Sequence, residues 1–411
     1  MAGLRVGRSY WLDTFAGRAQ RLPTLSRNGD ADVAIIGGGI TGCSAALLFA
    51  QAGARVILVE AHRIGRGSTA ASTALLMQEP DVDFRHLADR YGSTAAQHIW
   101  NRCRQAVRDF LLLLRRAGAP AIRRLPSIYY APDGRARDAL HTEWRLRRRA
   151  RLPARWIDGA EVRARAGFDA PGAIVTEGNG EVDPYRACLA IARSAVRRGA
   201  ALYESTAVRR VDQRGGSTAV LLENGAVIRA GWAVIATGYA TPSFEHLAAR
   251  FRMLNTYVIA TRRFSAAERQ RIGLGNAMLW DTARPYHYAR WTPDGRLLFG
   301  GRDRPQVHGR RRPPALRARA AELMDDLVTL YPMLRGERAE YAWEGLFATT
   351  QDGLPYIGRH RLYPGQLFAL GYGGNGMTLS FLGAQALVRI ALGCETPDDA
   401  LFGFGRQRLD R

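Results

Sequence analysis

A turn of three consecutive glycines between two apolar segments is the feature that most constrains how this chain can fold. The stretch DADVAIIGGGITGCSAALLFAQAGARVILVEA occupies residues 30–61. DVAIIG has the β-branched composition of a buried parallel strand, the residues after the turn have the apolar spacing of a helix, and ARVILVE predicts a second strand. This order predicts a βαβ unit, and therefore an α/β fold with a Rossmann-type nucleotide-binding domain.

The glycines of this turn have the G-x-G-x-x-G spacing of a dinucleotide-binding site. Gly37 permits the tight turn, Gly39 lets a pyrophosphate approach the backbone, and Gly42 lets the helix lie close to the strand. The N-terminus of that helix presents free N–H groups to the phosphates. Glu60, 21 residues after Gly39, can accept hydrogen bonds from ribose hydroxyls. The predicted dinucleotide contacts in this unit are Gly37, Gly39, Ile40, Thr41, Gly42, Glu60 and Ala61.

The basic composition of the chain does not by itself indicate a nucleic-acid-binding protein. The formal net charge is +22, and all 59 basic residues are arginine, because the sequence contains no lysine. A genome-wide preference for arginine codons explains this more simply than selection for phosphate binding. The arginine-rich segment WRLRRRARLPAR at residues 144–155 keeps nucleic-acid binding open as an alternative, but we expect no stable nucleic-acid partner.

The cysteines and the apolar runs exclude several other classes of protein. The four cysteines, Cys43, Cys103, Cys188 and Cys394, are far apart and form no C-x-x-C pair, which argues against a disulfide framework and against a metal site. The N-terminal segment lacks the apolar core of a signal peptide, and no apolar run has the length of a membrane span. We therefore expect a cytoplasmic protein without a metal and without a membrane span.

Later segments decide which dinucleotide is bound. Residues 62–77, HRIGRGSTAASTALLM, predict a loop of small and hydroxyl side chains, and WAVIATG at 232–238 predicts a buried strand. EGLFATTQDGLPYIG at 344–358 predicts a turn, and GYGGNGM at 371–377 predicts a second glycine-rich loop. A helix that begins near Gly376 directs its positive end toward this loop, where it would stabilise negative charge on a bound group.

The order of these motifs resembles that of the D-amino-acid oxidase superfamily of flavoprotein amine and amino-acid oxidoreductases. The resemblance covers about residues 30–393 and implies that the cofactor is FAD. In this family the residue matching Val208 contacts adenine, the turn matching 236–238 lies near the pyrophosphate, and the loop matching 373–377 lies against the flavin pyrimidine ring. Beyond the βαβ unit, the implied FAD contacts are Arg66, Ser68, Thr69, Ala74, Leu76, Val208, Ala236, Thr237, Gly238, Gly373, Gly374, Asn375, Gly376 and Met377.

The resemblance also implies an architecture, namely a Rossmann-type FAD-binding domain with an inserted α+β substrate domain. We expect a discontinuous FAD-binding domain of residues 1–90, 155–245 and 340–411, and a substrate domain of residues 91–154 and 246–339. The first insert has the apolar spacing of helices. The second contains strands such as YHYARW and RLLFGG, joined by a Pro-Asp-Gly turn.

Amine oxidation by a flavin requires a positioned substrate rather than a catalytic triad, because the cofactor accepts the hydride. Aromatic side chains are therefore the candidates for the walls of a substrate pocket. Tyr286 and Tyr288 lie on one predicted strand, whose alternation directs them to one face and His287 to the other, where we interpret the histidine as structural. The predicted substrate-site residues are Tyr257, Tyr286, Tyr288, Trp343, Phe347 and Gln351.

Three departures from the family pattern affect the predicted chemistry. Glycine oxidase carries an arginine that binds the substrate carboxylate, and the matching residue here is Phe347, which argues against a simple α-amino acid bound in that way. The position of a flavin-linking cysteine in sarcosine oxidase is Gly345 here, and the segment STAAST has no flavin-linking histidine, so we expect noncovalent FAD. The lysine that promotes reaction with oxygen in some members is missing.

The sequence therefore predicts an FAD-dependent oxidoreductase that converts the CH–NH group of a small amine to an imine by hydride transfer to flavin N5. Either oxygen or a quinone or carrier would accept the electrons. One alternative is an amino-acid oxidase or dehydrogenase with a different carboxylate clamp, for which Arg290 is the first candidate, although its place beside a predicted turn suggests a solvated side chain. The other alternative is a tRNA-interacting flavoprotein.

Overall fold

The computed structural model describes residues 6–17, 21–214, 216–239, 241 and 244–406. The strands are β1 (Gly29–Ile36), β2 (Val56–Val59), β3 (Leu75–Leu76), β4 (Arg123–Tyr130), β5 (Arg155–Asp158), β6 (Gly172–Glu181), β7 (Ala201–Tyr203), β8 (Val208–Arg214), β9 (Ser217–Leu222), β10 (Val227–Gly238), β11 (Arg252–Arg263), β12 (Met278–Asp281), β13 (Tyr288–Trp291), β14 (Arg296–Pro305), β15 (Tyr341–Thr349), β16 (Tyr356–His360) and β17 (Tyr363–Leu370).

The α-helices alternate with these strands along the chain. They are α1 (Tyr10–Asp13), α2 (Ile40–Gln51), α3 (Phe84–Tyr91), α4 (Ser93–Arg116), α5 (Gly134–Arg149), α6 (Gly159–Ala166), α7 (Pro184–Arg197), α8 (Glu245–Ala248), α9 (Ala266–Ile272), α10 (Arg312–Leu330), α11 (Gly376–Ala391) and α12 (Pro397–Ala400). The mixture of helices and sheets confirms the predicted α/β class.

The first sheet contains the predicted βαβ unit. Its strand order is β16-β17-β10-β1-β2-β7, and β9 and β8 continue from β10 as an antiparallel branch. The pairs β1/β2, β1/β10, β2/β7 and β10/β17 are parallel. Every residue of β2 is buried. Leu58 packs in the core cluster that contains α2, whereas Ile57 and Val59 pack in the cluster that contains Val220 and Leu222 of β9.

The strand register brings the sequence motifs to one edge of this sheet. Ile36, the last residue of β1, pairs with Val59 in β2 and with Ile235 in β10. Leu370, the last residue of β17, pairs with Gly238 at the end of β10. The carboxyl ends of parallel strands meet at one edge, so the two glycine-rich loops lie together there, as is usual for ligand sites in open α/β sheets.

Helix α2 carries the glycine turn into the protein core. It packs on β1, β2 and β10, and against helices α7 and α11. Most of its residues are buried, including its first turn, so the helix axis is fixed by packing on several sides. Its N-terminus therefore points in a defined direction at the sheet edge.

The second sheet is formed by strands from widely separated parts of the chain. Its order is β15-β11-β14-β13-β12-β4-β6-β3, and β5 pairs with β6. Helix α10 packs against β11, β14 and β15. The predicted hairpin in the second insert is present, since β13 and β14 are antiparallel neighbours joined by the Pro-Asp-Gly turn.

The sheet membership differs from the predicted domain limits for four strands. Strand β3 lies in the predicted FAD-binding segment 1–90, β5 and β6 lie in the segment 155–245, and β15 lies in the segment 340–411, but all four belong to the second sheet. Strand β6 pairs with β3, β4 and β5. Its sheet is therefore determined by strand pairing and not by its local sequence pattern. The ends of the ranges 1–90 and 340–411 extend beyond the described residues.

Candidate functional site

The backbone of the first glycine turn has the geometry that the sequence motif requires. Gly37 has a φ of +108°, which side chains other than hydrogen rarely allow. A Cβ atom on Gly42 would lie 1.9 Å from the carbonyl oxygen of Gly37, so the first turn of α2 touches the end of β1. Gly39 caps the helix N-terminus and its Cβ position is close only to the Thr69 hydroxyl, at 3.3 Å. The turn therefore leaves room for a ligand above Gly39.

The carboxylate of Glu60 lies beside this turn, at the end of β2. Its Oε2 accepts a hydrogen bond from the Gly38 N–H at 2.7 Å, and its Oε1 accepts one from the His62 N–H at 2.8 Å. A carboxylate oxygen can accept two hydrogen bonds, so both oxygens can still accept from hydroxyl groups of a ligand. The backbone contacts hold the carboxylate at the place where the βαβ pattern predicts a ribose.

A cavity of about 890 Å³ extends from this turn to the second sheet. Its volume is within the range of ligand sites. Its lining contains most of the predicted FAD contacts, namely Gly37, Gly39, Ile40, Thr41, Glu60, Ala61, Arg66, Ser68, Thr69, Val208, Ala236, Thr237, Gly238, Gly373, Gly374, Asn375, Gly376 and Met377. The cavity brings together motifs that are up to 340 positions apart in the printed sequence, from Gly37 to Met377.

Three predicted FAD contacts lie outside this lining. Ala74 and Leu76 are completely buried, whereas Leu75 and Met77 line the cavity, because alternate side chains of an extended segment point to opposite faces. Leu75 and Met77 are therefore the lining residues of this segment, and the contacts of Ala74 and Leu76 with FAD stay predictions. Gly42 is also outside the lining, and its contact with Gly37 gives it a packing role.

The hydroxyl loop after β2 ties the first glycine turn to the second sheet. The Thr69 Oγ1 accepts a hydrogen bond from the Ile40 N–H at 3.0 Å, and Ser68 Oγ donates to the Leu346 carbonyl at 2.8 Å. The proton of the Thr69 hydroxyl remains available to a ligand oxygen. The loop therefore lines the part of the cavity that lies between the two sheets.

The second glycine loop is anchored by the side chains that follow it. Asn375 Nδ2 donates to the carbonyl oxygens of Met77, at 2.8 Å, and Glu79, at 2.6 Å. Thr378 Oγ1 also donates to the Met77 carbonyl at 2.8 Å. Helix α11 begins at Gly376, so its free N–H groups and positive end lie at the cavity.

An aromatic end, defined by Trp280, Tyr286, Tyr288 and Phe347, closes the cavity where it meets the second sheet. Tyr286 and Tyr288 both line the cavity and His287 does not, which is the alternation that the sequence predicts. Strand β13 begins only at Tyr288, so Tyr286 lies in the connection before it.

Two glycines allow these tyrosines to approach the cavity wall. A Cβ on Gly300 would lie 2.3 Å from the Tyr288 ring. A Cβ on Gly374 would lie 1.7 Å from the Tyr286 hydroxyl. Gly300 was not identified from the sequence, because a glycine in a strand only becomes informative when its neighbour across the sheet is known.

The aromatic end also contains two carboxylates that sequence reasoning missed. Asp81 accepts from the Tyr286 hydroxyl at 2.8 Å and from the Gly374 N–H at 2.6 Å, which links the second glycine loop to the aromatic end. Burial raises the pKa of Asp81. Asp303, on β14, also lines the cavity, and burial raises its pKa to about 6. Neither aspartate belongs to a motif, so only the fold could reveal them.

His287 is held on the far side of this strand by two carboxylates. Its Nδ1 lies 2.8 Å from Asp281 Oδ2, and its Nε2 lies 3.2 Å from Asp326 Oδ2. The hydrogen bond and charge of Asp281 outweigh desolvation and raise the pKa of His287. These contacts agree with the interpretation of His287 as structural.

The remaining predicted substrate residues do not all reach the cavity. Phe347 lines it, but Tyr257 is packed in the core of the second sheet, because its neighbour Thr256 takes the cavity face of β11. Trp343 is completely buried, and its Nε1 donates to the Ala71 carbonyl at 2.9 Å. Gln351 is exposed in the turn after β15. Tyr257, Trp343 and Gln351 therefore lie outside the cavity lining, and a role for them at the substrate stays a prediction.

Arg290 is buried rather than solvated. It is 1% exposed, and its Nη1 donates to the carbonyl oxygens of Ala74 and Val182, each at 3.1 Å. Its Nε lies 3.3 Å from Glu181 Oε2. Arg290 is not part of the cavity lining, so its charge is compensated inside the protein by groups other than a ligand.

The described residues contain neither a metal-binding cluster nor a membrane-spanning helix. Across the part of the chain that the structure describes, no group of three or more His, Cys, Asp or Glu residues could hold a metal ion. Within the same residues, no helix is long and apolar enough to cross a membrane. The four cysteines are all free.

Comparisons with known proteins agree with this geometry. The family model described as FAD dependent oxidoreductase (DAO) matches residues 32–390. Gamma-glutamylputrescine oxidoreductase of Escherichia coli K12 is 26% identical over 376 residues, which cover 90% of this chain and 85% of that protein. Glycine oxidase of Bacillus licheniformis is 26% identical over 385 residues, 92% of this chain and 98% of that protein. The crystal structure of glycine oxidase from Geobacillus kaustophilus has a TM-score of 0.78 at 23% identity and covers 92% of this chain and 99% of that chain, a similarity of fold.

Proposed function

Because the chain belongs to the DAO family of FAD-dependent oxidoreductases, whose members act on amines and amino acids, we propose that it oxidises small amines that lack a free α-carboxylate. FAD is the cofactor, and when bound it accepts the hydride from the substrate carbon. The residues of the cavity fit this group: a glycine turn at a helix N-terminus suits the pyrophosphate, and the Glu60 carboxylate suits the ribose.

The observation that carries the proposal is the chemistry of the aromatic end. Phe347 lines the cavity, and the resemblance to glycine oxidase implies that it takes the position of the carboxylate-binding arginine of that enzyme. The arginines of the cavity lining, Arg63, Arg66 and Arg209, come from the segment after β2 and from β8, on the side of the first sheet. A buried substrate carboxylate would need a paired charge, and the lining of the aromatic end supplies acidic groups instead.

The chain's own residues would position the amine and exclude water. Tyr286, Tyr288, Trp280 and Phe347 provide apolar walls for a carbon chain, and Asp81 holds the second glycine loop against these walls. The amine must be unprotonated when its hydride leaves, so a dry aromatic wall near the reacting nitrogen favours the neutral form.

Two alternatives from the sequence are less well supported. The guanidinium of Arg290, the candidate for binding a substrate carboxylate, already contacts Glu181 and backbone carbonyl groups. In the arginine-rich segment 144–155, Arg147 is 1% exposed and bonded to Glu143 at 2.7 Å, so this segment is partly a packing element rather than a free basic surface. Trp144, the aromatic residue of the segment, donates to the Ala154 carbonyl at 3.2 Å.

The test is anaerobic reduction of the purified holoenzyme by a panel of amines and amino acids. Loss of the oxidised-flavin absorbance with alkylamines, before any electron acceptor is added, would support the proposal. Reduction by amino acids alone would reject it. The same preparation, re-exposed to oxygen or to a quinone, identifies the acceptor, which we expect to be one of these two.

A cytoplasmic location also stays a prediction from cysteine usage.

A further inference from the structure

The carboxylate of Asp303 is an acidic group of the cavity without a cation of its own. The Thr256 side chain hydrogen-bonds to this carboxylate, but its Oδ1 is buried and has no hydrogen-bond partner. The carboxylate comes from β14 and lines the cavity together with Tyr288 and Trp280. Leaving a buried acceptor unsatisfied is costly, so such a group in a cavity marks a place where a ligand can supply the partner.

The neighbouring cations are bound to other groups. Arg302 donates to Asp326, with Nε at 2.7 Å from Oδ2. Arg304 points to the backbone carbonyl of Asp303, at 3.3 Å, and is exposed. His287 is held by Asp281 and Asp326 on the other face of the strand.

The other carboxylate of this end does not neutralise Asp303. Asp81 is satisfied by the Gly374 N–H and the Tyr286 hydroxyl, and its negative charge adds to the potential at Asp303. Both acids favour a positively charged ligand. The ring of Tyr288 favours one as well, through cation–π attraction, whereas the ring of Tyr286 already has the Arg284 guanidinium 5.7 Å from its centroid.

We propose that Asp303 binds a second nitrogen of the substrate, one that stays protonated during the reaction. The preferred substrates are then alkylamines with a further cationic nitrogen, such as diamines. This inference rests on the proposed amine oxidation. The reacting nitrogen has to be neutral for the hydride to leave, whereas a carboxylate keeps a bound ammonium protonated. The nitrogen at Asp303 is therefore a different one from the nitrogen that is oxidised.

The test is calorimetric binding to the holoenzyme of two probes that cannot be oxidised. The first is a diamine with both nitrogens on tertiary carbons, and the second is the monoamine with the same carbon chain. We expect wild type to bind the diamine at least about tenfold more tightly, as charge-assisted hydrogen bonds are the stronger ones. In Asp303→Asn this ratio should fall to about twofold, and Asp303→Glu should retain part of it.

The matched control is Asp325→Asn, which removes one charge from an exposed position of α10 outside the cavity. It should keep the wild-type ratio. Retention of FAD and an unchanged circular dichroism spectrum show that each variant is folded. A wild-type ratio near one, or an unchanged ratio in Asp303→Asn, would overturn the proposal.

The two proposals can fail separately. If no amine reduces the flavin, the proposed function is rejected, whereas the probes still report whether Asp303 binds a cationic nitrogen. If butylamine reduces the flavin as fast as putrescine does, and both probes bind equally, amine oxidation stands and the role of Asp303 is rejected.

Discussion

At the scale of single residues, Glu60 connects the glycine turn to the predicted ribose of FAD. It is held by the N–H groups of Gly38 and His62. Glu60→Ala should weaken FAD affinity about tenfold to a hundredfold, because hydrogen bonds to a charged acceptor contribute about 1.5–3 kcal/mol. Glu60→Gln, which keeps one acceptor oxygen, should lose less. Fluorescence titration of the apoprotein with FAD measures both, and equal affinity in wild type and folded Glu60→Ala would contradict the ribose assignment.

Asp303 gives a second residue-scale prediction, for the pH dependence of stability. Burial raises its pKa to about 6 in the folded protein, above the ordinary value of an aspartate, so the folded state binds its proton more tightly than the unfolded state does. The free energy of unfolding therefore decreases as the pH rises from about 4 through about 6. Asparagine does not titrate, so Asp303→Asn should not show this decrease in the free energy of unfolding.

We therefore expect Asp303→Asn to be more stable than wild type at pH 8, by about 1–3 kcal/mol, since one pKa unit corresponds to about 1.4 kcal/mol. The difference should become small near pH 5. Urea unfolding of the FAD-saturated proteins at both pH values measures it, with Asp325→Asn as the control that shows no such trend. A stability difference that is the same at both pH values would show that the Asp303 carboxyl does not titrate in this range.

At the scale of elements, the second glycine loop and the aromatic end depend on each other. The hydroxyl of Tyr286 occupies the space beside Gly374, and Asp81 bonds to both residues. Gly374→Ala should displace the tyrosine or the loop, and lower FAD retention on gel filtration by about tenfold or more. Gly134→Ala, where a Cβ meets nothing within 4 Å, is the matched control. Full FAD retention in Gly374→Ala would mean that the loop does not have to keep this position.

The elements also show what could be predicted from the sequence. The βαβ unit and the GYGGNGM loop were recognisable because local spacing alone determines strand, turn and helix. The side of the strand was predictable for Tyr286 and Tyr288 but not for Tyr257, because alternation gives two faces without saying which one is the cavity.

The residues whose surroundings could not be predicted have partners that are distant in the sequence. Arg290 had the pattern of a solvated residue beside a turn, and only the fold shows Glu181 next to it. Asp303 and Asp81 come from different parts of the chain, and their place in one cavity follows from sheet pairing. No local signal marked either aspartate.

At the scale of the whole molecule, the cavity is open between two sheets and should bind FAD without a covalent bond. Gly345 lines the cavity, and the resemblance to sarcosine oxidase implies that it takes the position of a flavin-linking cysteine. The cysteines Cys43, Cys103 and Cys188 are buried in the core. Denaturation and ultrafiltration should therefore release all of the flavin, as followed by its absorbance. Yellow colour that stays with the denatured chain would contradict this prediction.

Bound FAD should also raise the free energy of unfolding of both sheets, because a ligand that binds only the folded state stabilises it. The cavity takes its lining from loops after β1, β2 and β10 and from β14 and β15. The cavity is thus one site, and we propose that its first half binds the cofactor and its second half binds the substrate.

The central claim is the proposal that the second half selects an amine without a carboxylate on the carbon that is oxidised, because Phe347 lines the cavity where the resemblance to glycine oxidase implies a carboxylate-binding arginine. The direct measurement is the rate of anaerobic flavin reduction, by stopped flow, with putrescine derivatives and γ-glutamyl-type amines against glycine, sarcosine and D-alanine. Wild type should be faster with the amines, and Phe347→Arg should shift the preference toward amino acids, with Phe347→Met as the uncharged control. A wild-type rate at least about tenfold higher with the simple amino acids, about 1.4 kcal/mol in the barrier, would contradict the claim.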